Sequence, residues 1–158
     1  MRRADRLDRI HALQGSRAGF VSRVLALSLD FGLLFFFGFL IVGFVALVRW
    51  IATSANLSLS RPHGWFWVAV AFVLSSSYFA YMWATTGRTL GEQLFGLRTI
   101  RPDGSRLDAR RSLVRGALTV LLPIGILWVL VSRTNASLQD LVSGSVVVYD
   151  WSYHPPVD

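Results

Sequence analysis

The sequence predicts an all-α integral membrane protein with two full transmembrane helices, a third, proline-interrupted span or re-entrant hairpin, and a small cytoplasmic β element. Three observations predict it. Hydrophobic residues make up 53% of the 158 and charged ones only 16%, a balance that favours lipid over water as the solvent. Two apolar runs are long enough to cross a hydrocarbon core of about 30 Å. All 16 Lys/Arg positions are arginine, and they gather in particular connections. The net charge of +7 is therefore explained by topology and contact with anionic lipid headgroups, not by nucleic acid. Cysteine is absent, which removes disulfides, thiolate metal sites and thiol catalysis.

The first span runs from Val24 to Val48 with Asp30 as its one charge; at 1.5 Å per residue it is roughly 37 Å long, enough to cross with some tilt. It exceeds the about 7–15 residues of a signal-peptide core, so it is read as an anchor and not a cleaved leader. The second runs from Gly64 to Thr85, with Trp65 and Trp67 near one end and Tyr78, Tyr81 and Trp83 toward the other, an expected aromatic belt at both interfaces. Ser75, Ser76 and Ser77 inside it are expected to bond to helix carbonyls. The third stretch, Leu113 to Val131, is interrupted by Pro123 and Gly125. Taken whole it is about 28 Å, just enough to cross; broken at Pro123 it is a hairpin entering and leaving on one side.

Five arginines precede Arg23, the connection from Arg49 to His63 holds two, Arg49 included, and that from Thr86 to Arg115 holds seven, Arg115 included, so the N-terminus and the long connection are expected to be cytoplasmic. That connection begins with "TLGEQLFGL", where Thr89 and Glu92 form a capping box. A short helix is expected there, with Leu90, Leu94, Phe95 and Leu97 on one side, on the membrane surface or under the bundle. "LRTIRPDGSRLD" follows, a small hairpin over 97–108 turning at Pro102-Asp103-Gly104. "SVVVYD", Ser145 to Asp150, is rich in β-branched residues and reads as a strand whose nearest partner is that hairpin. Such pairing puts the C-terminus inside and favours two full spans plus a re-entrant hairpin. The tail charges, Arg133 against Asp140, Asp150 and Asp158, pull the other way.

Asp30 lies about 9 Å into its span by helical rise, where a carboxylate costs roughly 2.5–3.5 kcal/mol. It needs a partner, and Arg23, Arg115 and Arg133 are the candidates; a proton is the alternative. Arg23 shares its helix face but sits about 10 Å away along the axis. Arg115 opens an apolar helix, a common place for an interface anchor. Ser137 followed by Asp140 is a helix-capping pattern, so Asp140 is read first as capping or salt-bridging and second as a participant in transport.

Three patterns occur in order: Arg23 to Asp30 in "RVLALSLD", then "TLGEQLFGLRTI", then "LQDLVSGSVVV". Together they resemble the RDD family of bacterial membrane proteins, named for an arginine and two aspartates. The resemblance covers most of residues 18–150 and puts Asp140 in the second aspartate's place. Glu92-Gln93 stand where the family commonly has a lysine, and Ser145 replaces a threonine. The chain then divides into a basic cytoplasmic segment 1–17, an RDD-like membrane domain 18–150 and a tail 151–158.

The resemblance implies a multi-pass protein of the bacterial plasma (inner) membrane. Transport of a proton, cation or small solute has been suggested for relatives. The expected site is an Arg/Asp/Asp constellation of Arg23, Asp30 and Asp140, with Arg115 and Arg133 as further ion-pair candidates. Two or three spans are too few to enclose a path, so a homo-oligomer or another membrane protein is the expected partner. The alternative is an accessory subunit of a larger complex, for which Gly32, Gly38 and Gly43 permit close helix approach. His11, His63 and His154 are scattered, and no catalytic or phosphate-binding signature occurs; no enzyme activity, metal or cofactor is expected.

Overall fold

A computed structural model of the protein describes residues 15–54, 63–132 and 134–150. Its elements are α1 (Phe20–Ser54), α2 (Gly64–Thr85), α3 (Leu90–Leu94), β1 (Leu97–Ile100), α4 (Ala109–Leu121), a 3-10 turn (Pro123–Leu127), α5 (Trp128–Val131), α6 (Leu138–Ser143) and β2 (Val146–Tyr149). The chain is a mostly helical integral membrane protein with two helices long and apolar enough to cross a bilayer, α1 and α2.

At 35 residues α1 is about 52 Å long, longer at both ends than the predicted Val24–Val48. Its buried residues, Arg23, Ala26 and Asp30, follow the three-to-four spacing of one helix face over the first turns. From Phe31 to Val48 there is no charge and no buried residue. That uncharged run is about 27 Å by helical rise, close to a hydrocarbon thickness. Asp30 therefore stands at the foot of the uncharged run, where α1 is still embedded in the rest of the protein, and not among acyl chains.

Helix α2 has the predicted bounds. Its buried face, Ser76, Phe79 and Trp83, packs along α4. Gly116 permits the approach, because a Cβ there would come within 2.7 Å of the Ser76 carbonyl oxygen. Trp83 is thus a core residue, 3% exposed, and not part of an interfacial belt. Tyr81 and Trp65, by contrast, are among the most exposed large side chains.

The third apolar stretch does not cross as one rod. Helix α4 ends at Leu121, and Leu122, at φ −131° and ψ 62°, has left the helical region that proline disfavours in the residue before it. Pro123 opens the 3-10 turn that follows, and the two arms of the broken pair meet at 101°.

The sheet corrects the hairpin expectation. The turn is present, with the Gly104 N–H donating to the Arg101 carbonyl at 2.9 Å. The returning leg, 105–108, is not a strand. Instead β1 pairs antiparallel with β2, Leu97 opposite Tyr149 and Ile100 opposite Val146. On its other edge β2 takes the segment before α1: Ala18 N–H donates to Val147 O and Tyr149 N–H to Ser16 O, both at 2.9 Å. Both edges of β2 are covered, as an otherwise exposed strand requires. The start of α1, β1 and the C-terminal strand consequently lie on one face of whatever membrane α1 and α2 cross, which fits two full crossings and a bent third segment.

Candidate functional site

The apolar core of the platform beneath the spans is small, centred on Ala18, Ala26, Leu97 and Val147. Beside it, where α1, α2, α3, α4 and α6 converge, five charged side chains are almost completely buried: Arg23, Asp30, Glu92, Arg115 and Asp140. Burying charge is costly unless it is paired and hydrogen-bonded, and the five divide into three networks.

Asp140 holds both arginines. Its Oδ2 accepts from Arg23 Nη1 and its Oδ1 from Arg115 Nη1. Arg23 also donates through Nε to Ala18 O at 3.2 Å, and Arg115 through Nη1 to Ser145 Oγ at 2.6 Å. The Arg115 guanidinium lies 4.6 Å from the centre of the Trp83 ring, a favourable cation–π distance. The capping box read in the sequence is present too, with Ser137 N–H on Asp140 Oδ2 at 2.9 Å and Asp140 N–H on Ser137 Oγ at 3.2 Å. One carboxylate thus ties α1 to α4 and caps α6. Burial alone would raise the Asp140 carboxyl, but the charges of Arg115 and Arg23 overcome it and hold it down at about 2.

Among the described residues no arginine pairs with Asp30. Its Oδ1 accepts from the Tyr78 hydroxyl at 2.8 Å and the Gly91 N–H at 2.9 Å, and its Oδ2 from the Thr89 hydroxyl at 2.5 Å. Of the partners expected from the sequence, Arg23 and Arg115 are engaged by Asp140, and Arg133 lies outside the described residues. Sharing a helix face was not enough: Arg23 starts nearly two turns below Asp30 and turns toward α6 and β2. Arg115 is likewise a buried ion-pair partner and not an interface anchor.

Glu92 forms the third network. Its Oε2 accepts from Trp83 Nε1 and the Thr89 N–H, both at 3.0 Å, and its Oε1 from the Thr99 hydroxyl at 2.8 Å. The predicted capping box starts α3, yet α3 turns its Gly91 and Glu92 side inward and leaves Leu90 and Leu94 exposed. In the sequence Thr89 and Glu92 stand out only as a helix start, and Tyr78 and Trp83 only as interface residues. The one available hint was an acid inside a short helix flanked by apolar residues.

Burial pushes the Glu92 carboxyl up, with the Arg115 charge and the bonds from Trp83, Thr89 and Thr99 pulling the other way. A raised carboxyl stabilises the fold fully below its unfolded value, 4.5, and loses that contribution as pH rises through the folded value. Wild-type thermal stability in detergent is therefore expected to decline as pH rises above the ordinary glutamate range. Glu92→Gln, whose amide keeps the same shape, is expected to flatten that dependence; an unchanged slope across a pH series of melting curves would remove Glu92 from the account.

A cavity of about 40 Å³ is lined by Arg23, Asp30, Trp83, Glu92, Arg115 and Gln139, among others. At the roughly 10–15 Å³ a water needs, it has room for about three. Gln139 Nε2 donates at 2.7 Å to Leu122 O, which also accepts from the Gly125 N–H at 2.9 Å. Among the described residues the Gln139 Oε1 and the Arg115 Nε find no hydrogen-bond partner. Two of the cavity's polar groups thus have unused capacity, one accepting and one donating. Among the described residues no cluster of His, Cys, Asp and Glu is arranged to hold a metal ion.

Nothing among curated proteins and nothing among solved structures matches. The model of the RDD family matches residues 17–144, a span that contains Arg23, Asp30, Glu92, Arg115 and Asp140. The chain belongs to the RDD family.

Proposed function

We propose that the protein is a non-enzymatic, transport-type protein of the bacterial plasma membrane in which Asp30 receives a proton, a cation or the cationic group of a small solute at the inner end of the two spans. The observation that carries this reading is the environment of Asp30: a carboxylate 1% exposed, held among the described residues by neutral donors alone, at the foot of the uncharged run of α1. Ionisable groups in such places are costly to keep and are retained for function. The adjoining cavity, with a free donor on Arg115 and a free acceptor on Gln139, suits a small polar guest. The arginine-rich N-terminus and the 86–115 connection support a cytoplasmic orientation for this end. Two spans do not enclose a path, so the working form is a homo-oligomer.

The test is flux in proteoliposomes that carry purified protein. Asp30→Asn keeps the shape of the side chain, and its amide can donate to Thr89 Oγ1 in place of the hydroxyl bond. Loss of proton or cation flux with an unchanged melting temperature is expected; undiminished flux and an unchanged pH response would refute the role. The accessory-subunit reading has its own support, since among the described residues nothing lies within 4 Å of a Cβ built at Gly32, Gly38 or Gly43, leaving these positions of α1 open to a partner. Mild-detergent purification yielding one stoichiometric foreign membrane protein, together with no flux from the isolated chain, would favour it.

A further inference from the structure

Among the described residues the buried cluster sets two guanidiniums, Arg23 and Arg115, against three carboxylates, Asp30, Glu92 and Asp140. With every group ionised, one negative charge is left over in a region sheltered from water. An uncompensated buried charge is among the most destabilising features a fold can carry. Asp150 is not part of this count, because it meets Arg88 and Arg98 at 3.3 and 3.0 Å where both arginines are partly exposed and water shares the balance.

We infer that the cluster keeps one exchangeable proton, held in common by Asp30 and Glu92. Asp140 is excluded as the holder because both of its oxygens face a guanidinium. The other two carboxylates are joined through Thr89, which gives its hydroxyl to Asp30 and its backbone N–H to Glu92. Each offers one oxygen whose protein partner is a hydroxyl: Thr89 Oγ1 at 2.5 Å from Asp30 Oδ2, and Thr99 Oγ1 at 2.8 Å from Glu92 Oε1. A hydroxyl can turn to accept as readily as to donate, so either oxygen can carry the proton without leaving two donors face to face. The remaining oxygens cannot: Glu92 Oε2 meets two fixed N–H groups, and Asp30 Oδ1 meets the Gly91 N–H.

The groups around the pair are Arg23 and Asp30 on α1, Tyr78 on α2, Glu92 on α3, Thr99 on β1, Arg115 on α4 and Asp140 on α6, and the two arginines supply the positive charge. A metal cation is a poorer fit, since it needs several oxygens with free lone pairs directed at one point, whereas these oxygens are already occupied by protein donors. The two carboxylates border the same cavity, which gives the proton a common place of entry. Interacting groups of this kind titrate as a pair, not as two independent residues.

Infrared spectroscopy of the purified full chain tests this without any flux assay, so the inference and the transport proposal can fail separately. The C=O stretch of a protonated carboxyl is separated from that of carboxylates, and exposed acids are ionised at neutral pH. Wild type is expected to show one protonated carboxyl per chain at pH 7. Asp30→Asn and Glu92→Gln are each expected to abolish the band, because either change alone brings the cluster to neutrality. No band in wild type would overturn the inference, and that measurement needs no variant to fold. Persistence of the full band in either variant would also overturn it, since the proton would then belong to one residue independently of the other.

Discussion

Replacing Asp140 with asparagine is expected to be the most destabilising single neutralisation in the chain. The substitution leaves Arg23 and Arg115 buried with no carboxylate between them, and breaking a buried pair by removing one partner costs about 3–5 kcal/mol. Here two partners are orphaned at once, against total stabilities of about 5–15 kcal/mol for whole domains. The amide can still accept from the Ser137 N–H, so the loss comes from charge and not from the helix cap. The expected outcome is a melting temperature in detergent lowered by many degrees, or a protein that elutes as aggregate on size-exclusion chromatography. A monodisperse variant with wild-type stability would mean that the Arg23–Asp140–Arg115 knot does not hold the platform together.

The second large effect is expected at Gly91. A methyl group there would overlap the Ala26 carbonyl of α1 and come within 2.8 Å of Asp30 Oδ2. Overpacking costs typically about 1–3 kcal/mol when side chains can yield, and here the obstacle is helix backbone, which cannot change rotamer. Gly91→Ala should lever α3 away from α1 and break the Gly91 N–H bond to Asp30, giving a cost at or above the top of that range. Gly38→Ala is the control on α1 itself: nothing lies within 4 Å of a Cβ built there, and alanine is the better helix former. Thermal melts of the two variants in one detergent should separate clearly; equal stability would contradict the close packing of α3 on α1.

Much of this architecture is legible in the sequence because bilayer thickness and proline chemistry act locally. The length of uncharged runs marks α1 and α2, and Pro123 marks the break that keeps residues 113–131 from forming one rod. The capping boxes at Thr89–Glu92 and Ser137–Asp140 are present because a hydroxyl three residues before an acid needs no distant partner. What was not legible depends on tertiary approach. The spacing of Arg23 and Asp30 suggested a pair, whereas Arg23 is claimed by a residue 117 positions away. The return leg of the expected 97–108 hairpin lost its place to β2, because β2 offers a β-branched run whose other edge is covered by residues 15–18. Glu92 lies nine residues beyond Trp83, across a turn, and nothing in the local pattern says that the two face each other. Arg115 opens an apolar helix in a way equally compatible with a lipid headgroup and with a buried carboxylate.

The two aspartates divide the labour: Asp140 is committed to two arginines and holds the fold, while Asp30, bonded among the described residues to neutral donors alone, can change its charge. The most direct measurement is the melting temperature of Asp30→Asn and Asp140→Asn side by side at neutral pH in one detergent. The Asp30 variant is expected to melt with wild type, since Glu92 then carries the negative charge that the pair shares and the cluster stays neutral, while the Asp140 variant falls far below. Equal losses in the two variants, or the greater loss at Asp30, would contradict that division.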